Sequence, residues 1–103
     1  MIKVSVMYPS GAAIRFDMAY YLAHHIPLVQ ERLGPSLKKV EVEQGIAGAQ
    51  PASAPTYVAM GHLWFDSVQA FQAGLAQHGT EILSDIPNYT NAQPAIQVSE
   101  VKL

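Results

Sequence analysis

The sequence predicts an α+β domain, an antiparallel four-stranded sheet with two helices on one of its faces. Three observations predict it. Apolar residues recur with period two in four short segments and with helical period in two longer ones, turn-forming residues separate the segments, and their order is strand, helix, strand, strand, helix, strand. The chain has 103 residues, half of them apolar, which suffices for one modest core and a single domain over residues 1–103 without a linker.

Each element has a local reason. Ile2, Val4, Val6 and Tyr8 alternate with Lys3, Ser5 and Met7, the period of a strand, and Pro9-Ser10-Gly11 stops it with turn chemistry. Asp17 is placed to cap a helix running to Leu33, closed by Gly34-Pro35. From Leu37 to about Gly48, Val40 and Val42 alternate with Lys39, Glu41 and Glu43, again a strand. Gly48 to Pro55 is small and aperiodic, a surface loop. Tyr57 to Phe65 is aromatic and apolar on both parities, as in a central strand covered on both faces. Asp66 is expected to cap a second helix, with Gln69 in the capping-box position and Val68, Phe71 and Leu75 as its apolar stripe, ending at His78-Gly79. Thr80 to Ile86 adds a short helical turn, and a last strand runs from Ala95 to Val101. This order is the split β-α-β pattern of a ferredoxin-like domain. Its second sheet face lacks a covering helix, and a strand three that is apolar in both directions, carrying Tyr57, Met60 and Trp64, suggests that this face is buried too; a second copy in a symmetric dimer would cover it, and an exposed ligand-binding face is the alternative.

Composition narrows the function. Six Lys and Arg against eight Asp and Glu give a net charge of −2 without blocks of like charge, no footprint for nucleic acid or an anionic membrane. The absence of cysteine removes disulfides, thiolate catalysis and zinc–thiolate or iron–sulfur sites. No signal-peptide pattern or membrane-spanning stretch is present, so a cytoplasmic protein is expected. There is no dinucleotide fingerprint, phosphate loop or nucleophile elbow.

The candidate chemistry lies on the first helix. A helical projection puts Met18, Leu22, Val29 and Leu33 on one face, with His25 and Ile26 inside the same arc and Tyr21 at its edge, while His24 falls opposite, near Tyr20, Pro27 and Glu31. Pro27 lacks an amide donor and is expected to kink or end the helix beside His25. A neutral histidine facing a helix–sheet interface donates from one nitrogen and accepts at the other, and Tyr21, one turn away, is placed to share a proton with it or with a ligand. The competing reading of His25 is a satisfied core histidine; the same holds for His62, and Tyr57, Trp64 and Phe65 read as core or interface. His78 is explained by the dipole of a helix C-terminus. His25, His62 and a carboxylate lack any diagnostic metal spacing, so no metal is expected.

The residues resemble a known family. Ile2-Lys3-Val4-Ser5-Val6-Met7-Tyr8-Pro9, Arg15-Phe16-Asp17 with Tyr20-Tyr21, His25-Ile26-Pro27-Leu28, Tyr57-Val58-Ala59-Met60-Gly61-His62-Leu63, Phe65-Asp66-Ser67-Val68-Gln69-Ala70-Phe71 and Asp85-Ile86-Pro87-Asn88-Tyr89 together look like EthD proteins, named for ethyl tert-butyl ether degradation. The resemblance implies a dimeric α/β barrel, two four-stranded sheets packed face to face, each subunit keeping a pocket between sheet and helices. The family's histidine before a proline falls on His25. Members are tied to breakdown of ethers and similar xenobiotics beside a haem-thiolate monooxygenase, and fungal relatives resemble dehydratases of aromatic polyketide pathways.

The resulting expectation is a homodimer binding a small apolar or aromatic molecule, with His25 as general acid or base and Tyr21 assisting, lined by Met18, Tyr20, Leu22, His62 and Trp64 and needing no cofactor. Oxidoreductase-linked, isomerase or dehydratase-type chemistry would each suit such a site. Two other readings stand beside it: a non-catalytic carrier serving a partner monooxygenase, and haem binding in the barrel pocket.

Overall fold

The computed structural model describes residues 1–103. Strands β1 (Ile2–Pro9), β2 (Lys39–Gln44), β3 (Tyr57–Phe65) and β4 (Ala95–Glu100) form one sheet in the order β2-β3-β1-β4, every neighbour antiparallel. Helix α1 covers residues 18–33 and α2 is Val68–Ser84. This is the ferredoxin-like α+β fold. No helix is long and apolar enough to cross a membrane.

The register sorts every strand residue to a face. Val4 pairs with Leu63 and Val98, so Ile2, Val4, Val6 and Tyr8 share the helix-covered face with Ala59, Gly61, Leu63 and Phe65. Val4, Tyr8, Ala59 and Phe65 are almost fully buried there. The core has two parts: Ile2, Val4 and Phe65 under α2, and an aromatic group of Tyr8, Tyr21 and Tyr89 with Ile26 from the middle of α1. Phe16 joins the aromatic group edge-on, its ring 5.0 Å from that of Tyr8. The segment after α2 is tied across this end, since Asp17 N–H donates to the Tyr89 carbonyl at 2.7 Å and the Thr90 hydroxyl to the Arg15 carbonyl at 2.6 Å.

Several boundaries differ from those the sequence suggests. The loop after Gln44 begins earlier than Gly48, and β4 stops one residue before Val101. The N-cap of α2 is Ser67, whose hydroxyl accepts from Ala70 N–H at 3.1 Å, rather than Asp66, whose carboxylate reaches out to Lys38. Helix α2 does not end at His78-Gly79. Gly79 is buried with ordinary helical φ, its missing Cβ leaving room for the Leu75 side chain, and the helix runs to Ser84, just before Asp85 and Pro87. Gly34, with φ of 56°, does end α1.

Pro27 does not end α1. The helix has an α turn at Met18–Tyr20, a π turn at Tyr21–His25 and α geometry again over Ile26–Leu33. Ile26 N–H bonds to the Tyr21 carbonyl five residues back, so the wide turn opens the carbonyl ladder just before the proline ring, which then sits in the first turn of a fresh α segment.

Candidate functional site

A cavity of about 240 Å³ lies between the sheet and both helices. Its floor is the helix side of β1 and β3 with Gly61 at the centre, one wall is α1, the other is α2, and exposed Leu75, Leu83 and Ile96 stand around its opening. Every lining residue except His25 and Gly61 is hydrophobic, counting the tyrosine rings as such.

The π turn places the chemistry. It holds one residue more than an α turn, so positions before it are rotated away from the face predicted by an unbroken helix. Tyr21 and His25 therefore join Ile26, Val29 and Leu33 at the cavity, Tyr21 being 2 % exposed. Leu22 goes the other way and is 51 % exposed, correcting its assignment to the lining. Met18 packs against the aromatic group outside the cavity, and His24 is exposed, its ring 4.8 Å from that of Tyr20.

His25 is buried beside an acidic partner. Its Nδ1 lies 2.9 Å from Asp85 Oδ2. Asp85 Oδ1 accepts from the Tyr20 hydroxyl at 2.7 Å and from Asn88 Nδ2 at 2.9 Å. Burial pushes the Asp85 carboxyl up, but the bonds from Asn88, Tyr20 and His25 outweigh it and hold it below its ordinary value. A carboxylate only accepts, so His25 Nδ1 carries the hydrogen and Nε2 is the basic nitrogen. Nε2 has no protein partner and is not sealed from accessible space. Burial lowers the imidazole's proton affinity, with Asp85 opposing, and the net direction is downward from 6.5.

The tyrosines complete the polar part. The Tyr21 ring stacks on that of His25 with centroids 5.4 Å apart and an interplanar angle of 16°, and its hydroxyl lies over Gly61, where any Cβ would collide with it. Tyr8 and Tyr89 share a hydroxyl–hydroxyl bond of 2.7 Å. Burial keeps all three phenols protonated well above their ordinary range.

Tyr20 lies outside the cavity and touches it only through its hydrogen bond to Asp85. His62 and Trp64 sit on the opposite face of the sheet, so the sequence-based lining is corrected for both: strand alternation turns Met60, His62 and Trp64 together, away from Gly61 and Leu63. On that face Ser5 donates to His62 Nδ1 at 2.9 Å and His62 Nε2 donates to Glu43 at 3.2 Å. Trp64 lies between Lys39 and Lys3, whose ammonium groups are 4.8 and 5.5 Å from its ring.

Asp85 is the partner of His25 that sequence reasoning missed. It is 60 positions from His25, and the stretch Asp85-Ile86-Pro87-Asn88-Tyr89 entered the sequence reading only through the EthD resemblance, with no role given to the carboxylate.

The comparison with protein families gives one match: the model described as the EthD domain aligns with residues 15–93. The chain belongs to the EthD family. The matched span holds α1, β2, β3, α2 and the Asp85 turn, thus both halves of the His25–Asp85 pair. An EthD-like protein from Ralstonia eutropha is similar over 99 % of this EthD chain and 92 % of its own, with 46 % identity and a TM-score of 0.95. An ethyl tert-butyl ether degradation family protein from Bacillus halodurans shares the fold at a TM-score of 0.75 and 19 % identity, covering 99 % of each chain. A dimeric ferredoxin-like protein of unknown function from Thermobifida fusca has the same fold at a TM-score of 0.60 and 12 % identity, covering 97 % of this chain and 90 % of that one. Among curated proteins nothing matches.

Proposed function

We propose that this EthD protein binds a small, largely apolar molecule in the cavity and acts on it by proton transfer at His25 Nε2, with Asp85 holding the ring in the required tautomer. One observation carries the reading: a carboxylate-paired histidine whose free nitrogen is the basic group of an otherwise apolar cavity. Apolar walls remove competing water and strengthen each electrostatic interaction inside. Tyr20 and Asn88 hold Asp85, so the second carboxylate oxygen stays aimed at Nδ1. Tyr21 is the nearby proton donor.

The volume limits the ligand. A dry cavity of about 150 Å³ takes benzene, and drug-sized ligands occupy sites of about 300–1,000 Å³. At about 240 Å³ the space suits a substituted single ring or a short branched chain such as an alkyl ether. A haem is larger than a drug-sized ligand and does not fit, although a carboxylate-paired histidine is a suitable donor for iron. The protein is read as a homodimer, as the dimeric relative from Thermobifida fusca and the uncovered sheet face support.

The test is direct. Purified protein is incubated with a panel of small uncharged molecules that carry an acidic proton, such as substituted phenyl ketones and β-alkoxy ketones, with alkyl ethers as unreactive binding controls, and conversion is followed by gas chromatography. Turnover lost in His25→Ala supports the reading. Ligand binding without conversion by the unaltered protein overturns it in favour of a carrier delivering its cargo to a partner such as a monooxygenase.

A further inference from the structure

The cavity's polar groups are few enough to describe what they recognise. No lysine or arginine lines it, so a carboxylate or phosphate entering would be stripped of water without a counter-charge. Asp85, behind His25, adds repulsion. Anions are excluded. The cavity does offer one acceptor, His25 Nε2, and phenolic donors that burial keeps protonated. Tyr8 and Tyr89 share one hydroxyl bond, and the Tyr21 hydroxyl, over Gly61 on the cavity floor and one helical turn from His25, begins this row of phenols by turning its proton towards Tyr8, from which a ligand oxygen in the cavity would take it over.

An acceptor and a donor at neighbouring points of a dry wall match one chemical unit, a carbonyl group with an acidic C–H beside it. We propose, resting on the proton-transfer reading of the site, that the ligands are uncharged, enolisable carbonyl compounds of about ten non-hydrogen atoms, with Tyr21 donating to the carbonyl oxygen. His25 Nε2 takes the proton from the carbon next to the carbonyl. The C–H electron pair becomes the C=C bond, and the carbonyl π pair moves onto oxygen, where the Tyr21 O–H supports the developing charge. The imidazolium, facing the Asp85 carboxylate, then returns a proton to carbon or to oxygen. The product is the exchanged ketone or its enol, so no oxidant or other co-reactant is consumed. Gly61 belongs to the device because its missing side chain is the space that Tyr21 occupies.

Three matched probes test this: indane, 2-indanone and indane-2-carboxylate. Binding is measured by ligand-observed NMR, and exchange of the 2-indanone α-hydrogens in D2O by loss of their proton signal, against buffer with the same concentration of free imidazole. The expected result is binding of indane and 2-indanone, carboxylate binding weaker by about tenfold or more, and protein-accelerated exchange. Tyr21→Phe keeps the ring and should slow exchange by about 10²–10³-fold, the usual cost of one oxyanion donor, with indane binding unchanged. Unaltered exchange in Tyr21→Phe overturns the donor role while leaving the base reading standing. Exchange that survives His25→Ala removes the base reading itself. Equal binding of the carboxylate overturns the ligand class, and absence of exchange above buffer overturns the proposal.

Discussion

His25 is a histidine made useful by what surrounds one of its nitrogens. With the imidazole's proton affinity lowered from 6.5 by burial, against the pull of Asp85, the unfolded chain takes up a proton at higher pH than the native one. The group therefore contributes stability above about pH 6.5 that is lost as pH falls below it. Asp85, its carboxyl held below 3.8 by its hydrogen bonds despite burial, acts in the same direction in a more acidic window, contributing stability above that value and losing it below. Calorimetric scans should show the melting temperature declining from pH 7 to pH 5, with the decline flattened in His25→Gln. Turnover should follow the neutral imidazole and persist somewhat below pH 6.5. Asp85→Asn should lower turnover by about 10²–10⁴-fold, because the ring loses its tautomer preference. Its remaining activity should hold to lower pH, since the carboxylate no longer pulls the imidazole upward. Gly61→Ala should cost about 1–3 kcal/mol by overpacking against Tyr21 and should impair turnover by displacing its hydroxyl. Chemical denaturation and the exchange assay read the two effects separately.

At the scale of elements, the useful departures from regularity are at helix ends and turns. The π turn at Tyr21–His25 sends Tyr21 and His25 inward and Leu22 outward. A projection at a constant hundred degrees per residue cannot find this, because the extra residue is set by packing and by the proline that follows. His25 was still legible as inward, since it lies at the end of that turn, four residues before Val29. Ending α2 at Gly79 also hid Asp85 from the site; the intact helix carries the chain one and a half turns further, to where Asp85 meets His25. The cap assignment has a simple test. Ser67→Ala should destabilise the domain by about 1 kcal/mol, a shift in melting temperature of about 4–8 °C. Asp66→Ala, which removes only an exposed pairing with Lys38, should change it little.

At the scale of the whole molecule, the sheet presents two chemically different faces. The covered face holds the cavity, and the other carries Met60, His62 and Trp64 among Lys3, Ser5, Lys39, Glu41 and Glu43. That face is more polar than alternation in β3 alone suggests, because β2 contributes its charged side to it. The paired charges and the lysine-flanked Trp64 suit a symmetric contact with a second copy, since Lys and Glu there are mutually complementary. Sedimentation equilibrium should return twice the chain mass of 11.2 kDa. Trp64→Glu should yield monomers that still bind indane, whereas a loss of binding together with the dimer would show that the cavity depends on the second copy.

The sequence by itself determined the alternating and helical periods, hence the order of elements, the sheet with its helices on one face, the family and an inward His25. These are local or short-range properties, written in the spacing of apolar residues, glycines and prolines. Only the tertiary structure decided which groups meet. Asp85 reaches His25 across 60 positions, Tyr8 pairs with Tyr89 across 81, and His62 and Trp64 fall on the far side of the sheet. Such meetings depend on register, on one extra residue in a turn and on where a helix stops, none of which local sequence spacing records, because they are settled by packing between segments distant along the chain.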